Sequence, residues 1–282
     1  MHGSHGGSQG QTVSLAAREV IFSYGKAEIL KQVSAAISPG RLTALVGPNG
    51  SGKSTLLAAL ARFITPSGGV VELDGQPILT QASRAVARKL AILPQSPPMP
   101  EGITVFELVS RGRFPHSGWL GLWSEADLAA IDGAMVMTGV KDFADRPVSG
   151  LSGGQRQRAW IAMALAQETP IMLLDEPTSA LDLRYQLEIL ALLRDLCRHH
   201  GRTVVIALHD LNLAAAHADE MIFFRQGKVH GAGSTADICT AAVIGAVFDI
   251  AVDVLNDPRS GRPVFVPRLP SEMGAGEGGA DG

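Results

Sequence analysis

The sequence predicts an α/β fold: a parallel sheet with helices on its faces and a helical segment inserted into it. Short apolar runs bounded by Gly, Pro or charge recur at "RLTALVG", "PIMLLDEP" and "RTVVIALHD", as strands buried on both faces should. Between the second and third runs, "SALDLRYQLEILALLRDLCRHHG" has helical periodicity and closes on Gly201,. That alternation of strand and helix is the signature of a parallel sheet. Residues 101–169 differ, carrying helical patterns broken by Pro and Gly and no convincing strand.

Taken from the start, "VSLAAREVIFSYG" mixes apolar and polar residues as a strand does,. "RLTALVG" ends at a glycine and "SGKSTLLAALARF" follows with Leu and Ala at helical spacing, giving strand, glycine loop, helix. The inserted block reads as helices at "TVFELVSRGR", "SEADLAAIDGAMVMTGV" and "GGQRQRAWIAMALAQE", with Ser124 and Asp127 spaced to cap the second,. The ends, residues 1–11 and 271–282, are Gly-, Ser- and acid-rich, too poor in apolar groups to offset the entropy of ordering them, and are expected to be flexible tails,. One ordered domain is expected over 12–270, with the helical insert at about 96–168.

Composition narrows the partners. The 282 residues are 46% apolar and 18% charged, which is ordinary for a globular chain with room for one core and a subdomain,. A net charge of −3 and the absence of any Lys/Arg run argue against nucleic acid,. No apolar run approaches the roughly 18 residues of a spanning helix, and "MHGSHGGSQGQT" has no signal-peptide pattern, so a cytosolic location is expected,. Cys197 and Cys239 lack CxxC spacing and read as reduced structural thiols,.

"GPNGSGKST", Gly47 to Thr55, fits G-x-x-x-x-G-K-[ST] in full and stands between a strand and a helix,. Gly47, Pro48, Asn49, Gly50, Ser51 and Gly52 would turn backbone N–H groups around a di- or triphosphate at a helix N-terminus. Lys53 would set a point charge against the β- and γ-phosphates; Ser54, followed by Thr55, would ligate Mg²⁺. Hydrolysis also needs a metal holder and a group to activate water. Asp175 at the end of "IMLLD" would hold Mg²⁺, and Glu176 beside it would act as general base,. A second glycine loop, "LSGGQ" at 151–155, has no carboxylate, thiol or metal ligand.

With these motifs in this order, together with Tyr24, "LPQ" around Gln95, "SALD" at 179–182 and "ALHD" around His209, the chain resembles the ATP-binding cassette ATPases over about residues 13–267. The resemblance implies a P-loop NTPase core of RecA-like type with a mixed sheet, a small N-terminal antiparallel region and an inserted helical subdomain. It also implies a use for the second loop. Two cassettes close head to tail, so Ser152, Gly153, Gly154 and Gln155 of one cover the ATP held by the other, and Asp182 reaches across the pair. Tyr24 would stack on adenine, Gln95 would touch Mg²⁺ or the attacking water, and His209 would contact the γ-phosphate. ATP and Mg²⁺ are the implied cofactors.

The implied partners are a second copy of the chain, separate integral-membrane permease subunits and, through them, a periplasmic or extracellular substrate-binding protein. The implied location is peripheral, at the cytoplasmic face of the membrane. "RGRFPH", "SEADLAAID" and the closing "DPRSGRPVFVP" resemble the cassettes of ferric siderophore importers, with haem and cobalamin importers as near relatives. Arg111, Arg113 and Phe114 would lie by the groove for the membrane subunit, or form an ordinary solvated helix end. A soluble cassette ATPase of DNA repair or translation is the other reading; a single cassette without a heptad array speaks against it.

Overall fold

The computed structural model describes residues 13–98, 101–116, 123–179 and 181–268. The expected loose ends, 1–11 and 271–282, lie outside them. The chain opens with β1 (Leu15–Tyr24) and β2 (Ala27–Ile37), then β3 (Leu42–Val46), the helix α1 (Lys53–Leu60), and β4 (Gly68–Leu73) with the short β5 (Gln76–Pro77). A short helix α2 (Ser83–Ala87) leads to β6 (Leu90–Leu93). Then follow α3 (Val105–Ser110), α4 (Glu125–Met137) and α5 (Gly153–Ala166), before β7 (Ile171–Asp175) returns to the sheet. The remainder is α6 (Leu183–His200), β8 (Thr203–Ala207), α7 (Leu211–His217), β9 (Glu220–Arg225) and β10 (Lys228–Ser234). It closes with α8 (Thr235–Ile238), α9 (Ala241–Phe248) and the hairpin of β11 (Val252–Asn256) and β12 (Pro263–Pro267).

The central sheet has the order β10-β9-β3-β8-β7-β6. It is parallel from β9 to β6 and antiparallel only at β10, hence mixed. An antiparallel sheet of order β2-β1-β4-β5 lies beside it. β3, β7 and β8 are buried at every position because both faces are covered,. Alternation then sorts their side chains. Leu45, Leu173 and Val205 join Leu56, Leu57 and Leu60 of α1 and the inner face of the small sheet, whereas Ala44, Leu174 and Ile206 join the cluster that includes α5 and α6,. The glycine loop before α1 is thereby fixed between the two sheets.

Between β6 and β7 the described residues form helices and no strand. Ser124 and Asp127 form the expected capping box on α4: Ser124 Oγ accepts from the Asp127 N–H, and the Asp127 carboxylate accepts from the Ser124 N–H. Asp127 does more than cap. Its other oxygen takes Arg113 Nε at 2.8 Å, and Arg113 Nη1 reaches the Ala166 carbonyl and Glu168 Oε2. Arg113 is therefore buried between α4 and the end of α5, where the sequence had placed it on a docking face or a solvated helix end. Arg111 and Phe114 do line a surface cavity of about 450 Å³, together with Phe63.

The Ser124 hydroxyl first, and Arg113 second, pull the Asp127 pKa down to about 2. The folded state thus favours the ionised carboxylate, so this stabilisation is complete above the ordinary carboxylate range and fades as pH falls through about 2. Replacing Asp127 with Ala leaves the buried guanidinium with only the half-exposed Glu168 carboxylate. The expected cost is about 3 kcal/mol of unfolding free energy, measured by urea denaturation at neutral pH. A loss well below about 1 kcal/mol would show that Arg113 repairs its pairing by moving.

Candidate functional site

The glycine loop is built around backbone contact. A Cβ at Gly47, where φ is 154°, would lie 2.1 Å from the Phe224 carbonyl oxygen of β9, so no side chain fits there. At Gly52 φ is 111°, a conformation that favours glycine, and α1 begins from it,. The N-termini of α3 to α7 are capped by Thr104, Ser124, Ser152, Asp182 and Asp210 respectively; α1 has neither a side-chain cap nor an acidic residue in its first turn. Its orphan N–H groups and partial positive charge are therefore left uncapped by any side chain among the described residues,. The Ser51 hydroxyl is buried with no hydrogen-bond partner among the described residues. Both features fit a bound phosphate group.

Lys53 is the first residue of α1 and is only 4% exposed. Its ammonium donates to the carbonyls of Gly47 and Pro48 at 2.7 and 3.1 Å, closing the loop on itself. Burial lowers its pKa, an effect that Glu176 and Asp175 partly oppose. Asp175 ends β7 and accepts the Ser54 hydroxyl at 3.0 Å. Burial raises its pKa, with the Ser54 hydrogen bond acting the other way,. A cation burdened by desolvation beside a carboxylate burdened the same way is a site short of counter-charge. A phosphate would relieve the first and a metal ion the second.

Glu176 follows β7 with φ of 50°, left-handed for a residue that is not glycine. Such a conformation costs about 1–3 kcal/mol and persists only where surrounding contacts enforce it. Here its N–H donates to the Ala207 carbonyl at the end of β8, and its carbonyl accepts from Ser179. The twist turns the side chain into a three-segment junction. Gln95 Nε2 donates to Glu176 Oε2 at 2.7 Å, and His209 Nε2 lies 2.5 Å from Oε1.

These groups surround one open cavity of about 420 Å³. Its walls include Asn49 to Thr55, Gln95, Glu176 and His209, with Tyr24 at the rim. Tyr24 is 59% exposed, and its ring stands at 86° to that of Phe22 with the centroids 4.9 Å apart. Ile29 of β2 also lines the cavity and was not foreseen. One apolar residue in a strand leaves no mark in a sequence.

Other expected site residues do not join this cavity. Ser152, Gly153, Gly154, Gln155 and Asp182 are absent from its lining, as are Gly47, Pro48 and Asp175, which reach it only through their hydrogen bonds with Lys53 and Ser54. Ser152 and Gln155 form a capping box at the start of α5: Ser152 Oγ accepts from the Gln155 N–H, and Gln155 Oε1 from the Ser152 N–H. The Ser152 hydroxyl keeps its own proton to donate, and Ser152 and Gly153 are exposed. Asp182 caps α6 through the Tyr185 N–H. The second loop thus presents a helix N-terminus at the surface, apart from the cavity among the described residues.

A glycine cradle at a strand-to-helix turn, with two carboxylates at the end of a neighbouring parallel strand, defines a P-loop nucleotide hydrolase. Comparison with known proteins narrows the class. A family model described as ABC transporter matches residues 30–179. The ferric enterobactin transport ATP-binding protein of Escherichia coli is 46% identical over 253 residues, which is 90% of this chain and 93% of that protein. A solved structure described as an inward-facing metal-chelate type ABC transporter superposes with a TM-score of 0.77 at 30% identity, covering 92% of this chain and 99% of that one. A dimeric bacterial ABC transporter cassette superposes at 0.70 with 29% identity, over 78% of this chain and 98% of its own. The chain belongs to the ABC transporter family and is an ATPase cassette coupled to transport. No helix among the described residues is long and apolar enough to cross a membrane.

Proposed function

We propose that this chain is the motor subunit of an importer for ferric siderophores, hydrolysing ATP between two of its own copies to move separate membrane subunits. The importer class rests on the likeness, over nine-tenths of the chain, to a ferric enterobactin transport protein, and on that to a metal-chelate transporter. Head-to-tail pairing rests on one observation above the others: the cavity has a phosphate cradle on one side, while the "LSGGQ" helix N-terminus, with Ser152 and Gly153 exposed, lies outside it. The dimeric cassette structure agrees with such pairing.

The residues divide the work as follows. The loop 47–52 and the α1 N-terminus bind the phosphates by backbone N–H donation, Lys53 adds charge, and Tyr24 stacks on the base. Ser54, Asp175 and Gln95 would hold Mg²⁺, their oxygens suiting a hard cation. When bound, Mg²⁺ would neutralise phosphate charge. Glu176, held at both oxygens, accepts the proton of the attacking water, and His209 orients it. Ser152 with the N–H groups of Gly153 and Gly154 completes the γ-phosphate shell from the second copy, and Asp182 lies at the same junction. Splitting ATP removes the charge that bridges the copies, and the pair opens toward the permease at the cytoplasmic face.

Ser152→Ala is the test. It should leave ATP affinity of the single chain within about twofold and slow hydrolysis about a hundredfold, measured by nucleotide fluorescence and phosphate release. Loss of single-chain binding would place the second loop in its own chain's site and overturn the pairing. The importer class is tested by uptake of ferric siderophore into cells carrying Glu176→Gln. Undiminished uptake would refute it.

A further inference from the structure

Arg158 stands on α5, the helix whose N-terminus carries the second glycine loop. Its Nη1 donates to the carbonyls of Thr138 and Gly139, at 3.4 and 3.3 Å, where α4 ends. Its guanidinium also lies over the ring of Tyr185, with Cζ 4.2 Å from the centroid. Tyr185 is in the first turn of α6, and its N–H is the one that Asp182 caps. One cation therefore ties three segments together: the end of α4, the helix presenting Ser152, and the helix start presenting Asp182.

The surroundings are fitted to that cation. Gly139 has a φ of 62°, and a Cβ there would lie 3.0 Å from Arg158 Nη1. Arg158 Nε is buried with no hydrogen-bond partner among the described residues, so this edge of the guanidinium is out of water while the group stacks. A cation over an aromatic face is attracted by the ring quadrupole, and desolvation strengthens the attraction. Neither Arg158 nor Tyr185 lines the nucleotide cavity; both line a separate one of about 170 Å³. Within a single chain their contact bears on the nucleotide only through the segments it joins.

We infer that Arg158 is a positioning residue: its stack on Tyr185 locks the "LSGGQ" helix to the start of α6, so that Ser152 and Asp182 meet the second copy's nucleotide as one rigid unit. This rests on the paired-site reading above. Without the stack the two segments dock independently, and closure of the pair must fix their relative orientation at an entropic cost. A guanidinium that served only to cap α4 would not depend on the ring.

The experiment uses the full chain in the Glu176→Gln background with saturating ATP, and measures the dimer dissociation constant by sedimentation. Single-chain ATP affinity and thermal midpoint are measured alongside. Tyr185→Leu should raise the dissociation constant about tenfold, with ATP affinity unchanged. Tyr185→Phe, which keeps the ring face, should stay within about twofold of the parent. A parent-like constant for Tyr185→Leu, or equal loss in Tyr185→Phe and Tyr185→Leu, overturns the inference. If Tyr185→Leu fails to fold, Arg158→Gln decides: its amide keeps a hydrogen-bond donor but carries no charge to attract the ring, and a parent-like constant would refute the lock. Failure of the pairing itself looks different. The parent Glu176→Gln chain would then stay monomeric with ATP bound, and the lock would fall with it.

Discussion

Lys53→Ala should lose about a hundredfold in ATP affinity, the largest single effect on binding expected from any one substitution in this chain. The ammonium is 4% exposed and already desolvated, so a phosphate meets it with little further water to displace,. In the free chain it bridges the carbonyls of Gly47 and Pro48. Those carbonyls accept without being charged, and their loss of a donor is a modest cost. The free variant should therefore keep its thermal midpoint within a few degrees of the parent, while ATP raises the parent's midpoint and not the variant's. Titration of a fluorescent ATP analogue gives the affinity directly. An unchanged dissociation constant would remove the charge of Lys53 from the account of binding.

Glu176→Gln should bind ATP as the parent does and hydrolyse it at least about a hundredfold more slowly. The substitution preserves shape and takes away only the ability to accept a proton. It also alters the junction, since Gln95 and His209 each face a Glu176 oxygen at 2.7 and 2.5 Å. One of those two contacts must then meet an amide NH₂ in place of an oxygen, and the amide will turn its remaining oxygen to the better donor. Binding is spared because neither contact involves a residue of the cradle of 47–55. Single-turnover phosphate release, with the ATP-bound dimer followed in parallel, measures both halves. Turnover at the parent rate would mean that another group accepts the proton.

Much of this was legible before any coordinates. "GPNGSGKST" reads as a phosphate loop because its glycines answer backbone demands, a Cβ at Gly47 having no room against Phe224. The strand of "IMLLD" is visible as an unbroken apolar run, since both its faces are covered. The cap of Ser124 and Asp127 is a local pattern three residues long and was read as such.

What escaped the sequence depends on side-chain direction and distant pairing. The left-handed φ of Glu176 has no residue-type signature, yet it points the carboxylate at Gln95, 81 positions away. Arg113, in a run of Arg and Gly, resembled a helix end facing water; only the fold brings Asp127 and Glu168 to it. β5 has only two residues, and β4 (GGVVEL) and β12 (PVFVP) open on Gly or Pro, so they merge with the turns beside them,. Nothing in "QRQRAW" announces that Arg158 meets Tyr185.

The most direct test of a nucleotide held between two copies is a mixture of Lys53→Ala and Ser152→Ala chains. Each alone should be nearly inactive, one lacking the cradle charge and the other the covering donor. If the site is shared between copies, a mixed dimer regains one intact site, and an equimolar mixture should recover about a quarter of the parent ATPase rate if chains pair at random. If each site lies within a single chain, every chain in the mixture is still defective, and activity no higher than that of the two variants measured apart would contradict the account.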